Sequence, residues 1–163
     1  MKYKRIFALL AIFILAASVA AVFAEDAHLG SVTFEVPNGY KISEQNDTAI
    51  VLANGNKQII VSTDIIGQSA IESYLSGQGY QYNTTLSGNT TITGGSQNGT
   101  FEFNCHQFAK DKGLAVGCMV NKDGQEISVI GIDNDYQKTG SFFSSSQIAR
   151  DSESILTDIM LGK

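Results

Sequence analysis

The sequence predicts an α+β fold: an antiparallel β-sheet with a short central helix and a C-terminal amphipathic helix packed on it. Three observations carry this. Short runs of alternating apolar residues come in two groups, each broken by tight-turn residues. A segment with helical spacing follows each group. The order is therefore strands, helix, strands, helix, whereas a doubly wound parallel sheet would need strands and helices to alternate one by one.

The elements follow in chain order. From Ser31 to Val36, Val32, Phe34 and Val36 fall on one face of a strand that stops at the only proline, Pro37, before Asn38-Gly39. Residues 48–53 and 57–63 are β-rich and flank Asn54-Gly55-Asn56, a hairpin signature because these residues tolerate positive φ. Ser69-x-x-Glu72 has capping-box spacing, and Ile71, Tyr74 and Leu75 share a helical face before Gly77 and Gly79, so a short helix is expected over 69–76. Residues 80–99 are polar and Gly-rich, with Leu86 and Ile92 as the only aliphatic side chains, and read either as an irregular edge strand or as a loop.

Residues 101–109, 114–120 and 126–132 form a three-strand meander with turns at Asp111-Lys112-Gly113 and Lys122-Asp123-Gly124. The last element starts near Ser144-x-x-Gln147 and places Ile148, Ser152, Ile155 and Ile159 on one face, with Leu156 and Met160 beside them.

Ahead of this domain, Lys2, Lys4 and Arg5 precede a 19-residue run from Ile6 to Ala24 whose only polar residue is Ser18. Charge followed by an apolar run is the pattern of an export signal. Val22 and Ala24 suit cleavage after Ala24, with Ala20 as second choice. The run is also close to the ~20 residues that span a bilayer, so an uncleaved anchor is the alternative. The expected organisation is residues 1–24 as signal or anchor and residues 25–163 as a single extracytoplasmic domain, secreted or at the cell surface.

Cleavage after Ala24 leaves 139 residues, one domain with room for a core, and moves the net charge from −5 to −8 because three basic residues leave with the signal. Only Arg150 remains as an arginine. An acidic domain without a basic patch is a poor partner for nucleic acid, and its membrane contact is expected only through the N-terminal segment. Four Asn-x-Thr sequons, at Asn46, Asn83, Asn89 and Asn98, are glycan acceptors if the host glycosylates exported chains.

The meander register decides the cysteines. A turn on Asp111-Lys112 pairs residues whose numbers sum to 223, which sets Cys105 opposite Cys118. A one-residue slip would move a whole strand to the other face. The odd sum keeps Phe103 opposite Val120, whereas the even sum, favoured by a three-residue turn ending at Gly113, sets Phe103 against Asn121. Hydrophobicity selects the odd sum, and opposed cysteines in an exported chain are expected to form a disulfide. Their x12 spacing is unlike that of a redox-active pair.

No cofactor or metal site is expected. His28 and His106 are the only histidines, and His28 falls in the lead just after the cleavage site. Strand alternation sends Cys105 and His106 to opposite faces, against a zinc site. Asp133-Asn134-Asp135 resembles the start of a calcium loop but lacks its glycine and reads as a turn. No nucleophile elbow, phosphate loop or zinc-protease motif occurs.

The opening SVTFEVPNGYK, the central helix, the meander and the closing SSSQIARDSESILTDIM together resemble the PsbP and DcrB type of α/β/α sandwich over residues 31–161. The resemblance implies a non-enzymatic accessory or binding domain on the outer face of a membrane, working with an envelope protein. Tyr136, Phe142 and Phe143, in the link before the last helix, are the candidate partner patch, or else a plug over the edge of the core. A hydrolase with a carboxylate-based site is the competing reading.

Overall fold

A computed structural model of the chain describes residues 25–94, 97–136 and 146–162, and for 83–94 and 97–104 it describes the backbone alone. The candidate signal or anchor in residues 1–24 lies outside the described residues. Among the described residues no helix is long and apolar enough to cross a membrane.

The first pair of strands, β1 (Asp26–Leu29) and β2 (Val32–Glu35), forms an antiparallel hairpin of its own. A lead was expected where β1 lies. Asp26-Ala27-His28-Leu29 in fact alternates, burying Ala27 and Leu29, while His28 pairs with Thr33 and its Nδ1 sits 3.0 Å from Thr33 Oγ1. Gly30, at φ 60°, makes the turn.

The remaining strands form one seven-stranded antiparallel sheet: β3 (Lys41–Gln45), β4 (Ala49–Asn54), β5 (Lys57–Ser62), β6 (Gln81–Gly94), β7 (Gln97–Lys110), β8 (Gly113–Lys122) and β9 (Gln125–Asp133). Their order in space is β3-β4-β5-β9-β8-β7-β6. The early hairpin and the meander therefore meet at the β5–β9 pair in the middle of the sheet. The β8–β9 turn has Asp123 at φ 52° and Gly124 at φ 83°, the double positive φ that suits the twist of a two-residue hairpin.

Of the two readings offered for residues 80–99, the edge strand is the one adopted: 81–94 make a 14-residue strand at the sheet edge, bulged between Tyr82 and Thr84, and its equally long partner 97–110 starts earlier than the expected Phe101. Pairing of β7 with β8 ends at Asn104↔Met119, so the β6–β7 pair runs on from there as a two-stranded ribbon.

Alternation divides the apolar residues between two faces. One face carries Ile50, Leu52, Ile59, Val61, Val116, Val120, Ile127 and Val129. It is covered by the β1–β2 hairpin and the C-terminal helix, α2 (Gln147–Leu161), through Leu29, Phe34, Ile148, Ile155 and Ile159. The other face carries Ile60, Phe108, Ala115, Ile130 and Ile132 and is covered by α1 (Gln68–Gly77) through Ile71 and Leu75. The helices thus lie on opposite sides of the sheet. Gly131 and Gly117 are the points of closest approach. A Cβ at Gly131 would overlap Ser152 of α2, and one at Gly117 would overlap Ile71 of α1.

The helix starts depart from the sequence expectation. α1 begins after Gly67, at φ 83°, with no side-chain cap, and Glu72 instead accepts from Gln68 Nε2 at 2.7 Å. Its end is well determined: Gly79 at φ 83° donates to Ser76 O and Tyr80 N–H to Leu75 O, with the Tyr80 and Leu75 side chains both in the smaller core, which is a Schellman stop. For α2 the cap is Ser146 rather than Ser144, its Oγ accepting from Ala149 N at 3.3 Å.

Candidate functional site

Cys105 and Cys118 are direct cross-strand partners with Cα atoms 4.2 Å apart, joined by a disulfide. Such a short Cα separation belongs to the close pairs of an antiparallel ladder, where side chains approach most nearly. Both sulfurs are buried against the apolar face shared with α2. The bridge falls one pair before β7 leaves β8, and so clamps the root of the β6–β7 ribbon.

The other sequence candidates scatter. Asn46 is exposed in the β3–β4 turn, where its Oδ1 accepts from the backbone N–H groups of Thr48 and Ala49, each at 2.8 Å. Asn83 and Asn89 lie in β6 and Asn98 in β7, where the backbone alone is described. By register Asn89 and Asn98 share a face of the ribbon, opposite to the face of Cys105. Tyr136 packs, partly buried, against the larger apolar cluster. Phe142 and Phe143 lie outside the described residues.

Two tyrosines that the sequence did not single out, Tyr40 and Tyr80, gather with Asp133 where β9 ends. Asp133, buried at the last position of β9, accepts from Asp135 N–H at 3.1 Å. Asn134 N–H donates to Asn56 O at 3.0 Å, and its Oδ1 accepts from the Tyr80 hydroxyl at 3.0 Å. The Asp133-Asn134-Asp135 triplet is thus a turn whose polar atoms serve the fold.

Burial, and then the carboxylate of Asp133, holds the Tyr80 hydroxyl above its ordinary pKa. Lys110 Nζ stands 4.2 Å over the Tyr80 ring. Across the sheet end Tyr40 is held further up, by burial first, then by the charge of Asp151 and its contact with the hydroxyl, and last by the charge of Asp133. Its hydroxyl is buried and faces the Asp151 carboxylate without a well-aligned hydrogen bond. Both shifts keep the phenols protonated at physiological pH. The sequence marks the separate members, since Tyr40 closes the PNGY turn and Asp133 ends an otherwise apolar strand, but not their meeting.

A second polar oddity lies on the α1 side. His106 is buried with Nδ1 unpartnered, beneath Tyr82, whose ring is 5.7 Å from it and meets Phe108 edge-on at 5.9 Å. Tyr82 is 49% exposed, one of two large apolar side chains so exposed among the described residues, the other being Ile66. Cys105 and His106 point to opposite faces, and the cysteine sulfurs are consumed by the disulfide. Among the described residues no three His, Cys, Asp or Glu side chains converge as metal ligands.

Strand order, helix placement and register define an α+β protein built on one mixed-length antiparallel sheet. Among solved structures it is similar to a single-substitution mutant of the protein Mog1, with a TM-score of 0.50 and 16% identity, over 86% of this chain and 95% of that one. At this identity the likeness is one of fold, and no residue role passes across. No family model and no curated protein matches the sequence.

Proposed function

We propose that this chain is a small exported accessory or binding module that acts outside the cytoplasm on an envelope protein, delivered or tethered by residues 1–24. The observation that carries the reading is the Cys105–Cys118 bridge, since cytosolic thiols are kept reduced and a buried structural disulfide belongs to an oxidising compartment. The charged-then-apolar N-terminal order supports the same compartment from unrelated residues.

Binding is favoured over catalysis by what the buried polar groups are doing. Asp133 and Asp158 are occupied with backbone N–H groups of Asp135 and Glu35, and Tyr80 with Asn134. These are structural commitments. The resemblance to the PsbP and DcrB type points to the same class of role.

The test is cell fractionation combined with thiol trapping, followed by in-cell cross-linking of the tagged chain. The expected result is protein outside the cytoplasm, with Cys105 and Cys118 blocked to alkylation until reduced, and one stoichiometric envelope partner in the precipitate. Cytoplasmic protein with two free thiols would overturn the compartment, and recovery of the chain without a partner would overturn the accessory role.

A further inference from the structure

The outer strands of the seven-stranded sheet, β3 and β6, are built differently; a shorter open margin, β7 from Gln97 to Phe103 past the end of β8, carries the charge of Glu102. β3 is five residues long, carries exposed Lys41 and Glu44, is bulged between Ile42 and Glu44, and has Gln45 turned back to donate to His28 O at 3.1 Å. Charge, shortness and a bulge are the usual means of stopping another chain from adding to an edge. β6 has none of this over most of its length. Its 14 residues contain no charge and no proline, and beyond the bulge at Tyr82/Thr84 its pairing with β7 is regular from Thr84 to Gly94. One row of its backbone N–H and C=O groups bonds β7, and the other faces outward at the sheet edge.

We infer that β6 is a homodimer edge: a second copy of this chain pairs with it antiparallel, about a two-fold axis at Asn89. The sequence selects both the partner and the register. Leu86, Gly88, Thr90 and Ile92 share the face of Cys105, while Thr85, Ser87, Asn89, Thr91 and Thr93 share the other. Only an even sum of paired numbers keeps like faces together across the new ladder. A sum of 178 pairs Leu86 with Ile92, Ser87 with Thr91 and Thr85 with Thr93, so that aliphatic meets aliphatic and hydroxyl meets hydroxyl. These are favourable cross-strand pairs. A sum of 176 sets Leu86 against Thr90 and Thr84 against Ile92, which loses the aliphatic match. The strand is thus complementary to itself, and the absence of charge removes the repulsion that would keep two acidic copies apart at this edge. Closure by a two-fold axis leaves β3, the guarded edge, at each end of a 14-stranded sheet. A glycan on Asn89 would stand on the axis, so the pairing belongs to the unglycosylated chain.

The experiment uses the full chain, expressed with its own N-terminus in a host that does not N-glycosylate. Asn89→Cys places two thiols at the two-fold, and mild oxidation is expected to convert most of the protein to a covalent dimer on a non-reducing gel. Ser43→Cys, on the guarded edge, is expected to stay at least tenfold less cross-linked. Adding Ser87→Lys and Thr91→Lys to Asn89→Cys sets like charges opposite each other and is expected to abolish the dimer. Co-expression with a Ser87→Glu, Thr91→Glu, Asn89→Cys chain is expected to restore a mixed dimer, which also shows that the lysine variant folds. Monomer from Asn89→Cys, equal cross-linking from Ser43→Cys, or a dimer that persists in the lysine variant would each overturn the inference. The last outcome would assign dimerisation to the N-terminal segment. Compartment and envelope partner are read by the separate fractionation experiment, so the two proposals fail independently.

Discussion

Adding one methyl group at Gly131 tests how tightly α2 is laid on the sheet. The new Cβ would overlap Ser152 Oγ and stand 3.0 Å from Ile148 Cγ1 and 3.1 Å from Val116 Cγ1. Ser152 cannot turn aside freely, because its hydroxyl donates to Ile148 O at 2.8 Å and the residue is fully buried. Overpacking of a dense core costs about 1–3 kcal/mol, and with three neighbours from two elements Gly131→Ala falls in the upper half, about 2–3 kcal/mol. For a domain of this size that lowers the Tm by roughly 6–12 °C. Urea unfolding of the purified protein is the assay, with an unchanged m-value marking a stability effect. Ser152→Ala removes the overlapping oxygen, so the double variant recovers about 1 kcal/mol or more, a coupling expected only of touching groups. A neutral Gly131→Ala, or a double variant with purely additive losses, would refute the argument.

Three further outcomes are expected. Reduction, or Cys105→Ala with Cys118→Ala, destabilises by somewhat under the roughly 3 kcal/mol of a 15-residue loop, since the cysteines are 13 apart in sequence; denaturant midpoints with and without reductant read it. Asp158→Ala leaves Glu35 N–H, now bonded to Asp158 Oδ2 at 3.0 Å, without its acceptor and costs about 1–3 kcal/mol, measured by thermal melting. The raised phenols of Tyr40 and Tyr80 give a stability that is complete below the ordinary tyrosine pKa of 10.0 and falls as pH rises beyond it, because the unfolded chain releases those protons first. Above that point each proton kept only by the folded chain gives a slope of about 1.4 kcal/mol per pH unit, which ends where the folded phenol itself ionises. Tyr40→Phe removes the ionisable hydroxyl and flattens the alkaline loss; a steeper loss would contradict the assignment.

What the sequence disclosed depended on how far each signal was local. The meander, with its paired cysteines, needed only alternation and turn residues, and its odd register is the one the strands adopt. The buried stripe of α2 from Ile148 to Met160 was equally plain. β3 was missed because only Ile42 is even partly buried there, so alternation had little to act on. β6 was left open because its glycines and asparagines argue for a loop, yet its five threonines favour extended backbone once β7 is present to pair with. β1 escaped notice because it is four residues long and its partner supplies the reason for its shape. The Tyr40, Tyr80 and Asp133 cluster joins residues 40 and 93 positions apart along the chain, and no local pattern announces such a meeting.

The position of the disulfide governs how the ribbon bears load. A pull on its far end would tend to peel β7 from β8 like a zipper, one pair at a time, beginning at Asn104↔Met119. The very next pair is covalent. Peeling therefore halts after a single step, and any further force passes through the bridge into β8, which is held on its other side by all nine ladder pairs with β9. Whatever grips the ribbon pulls on the middle of the sheet rather than on its margin.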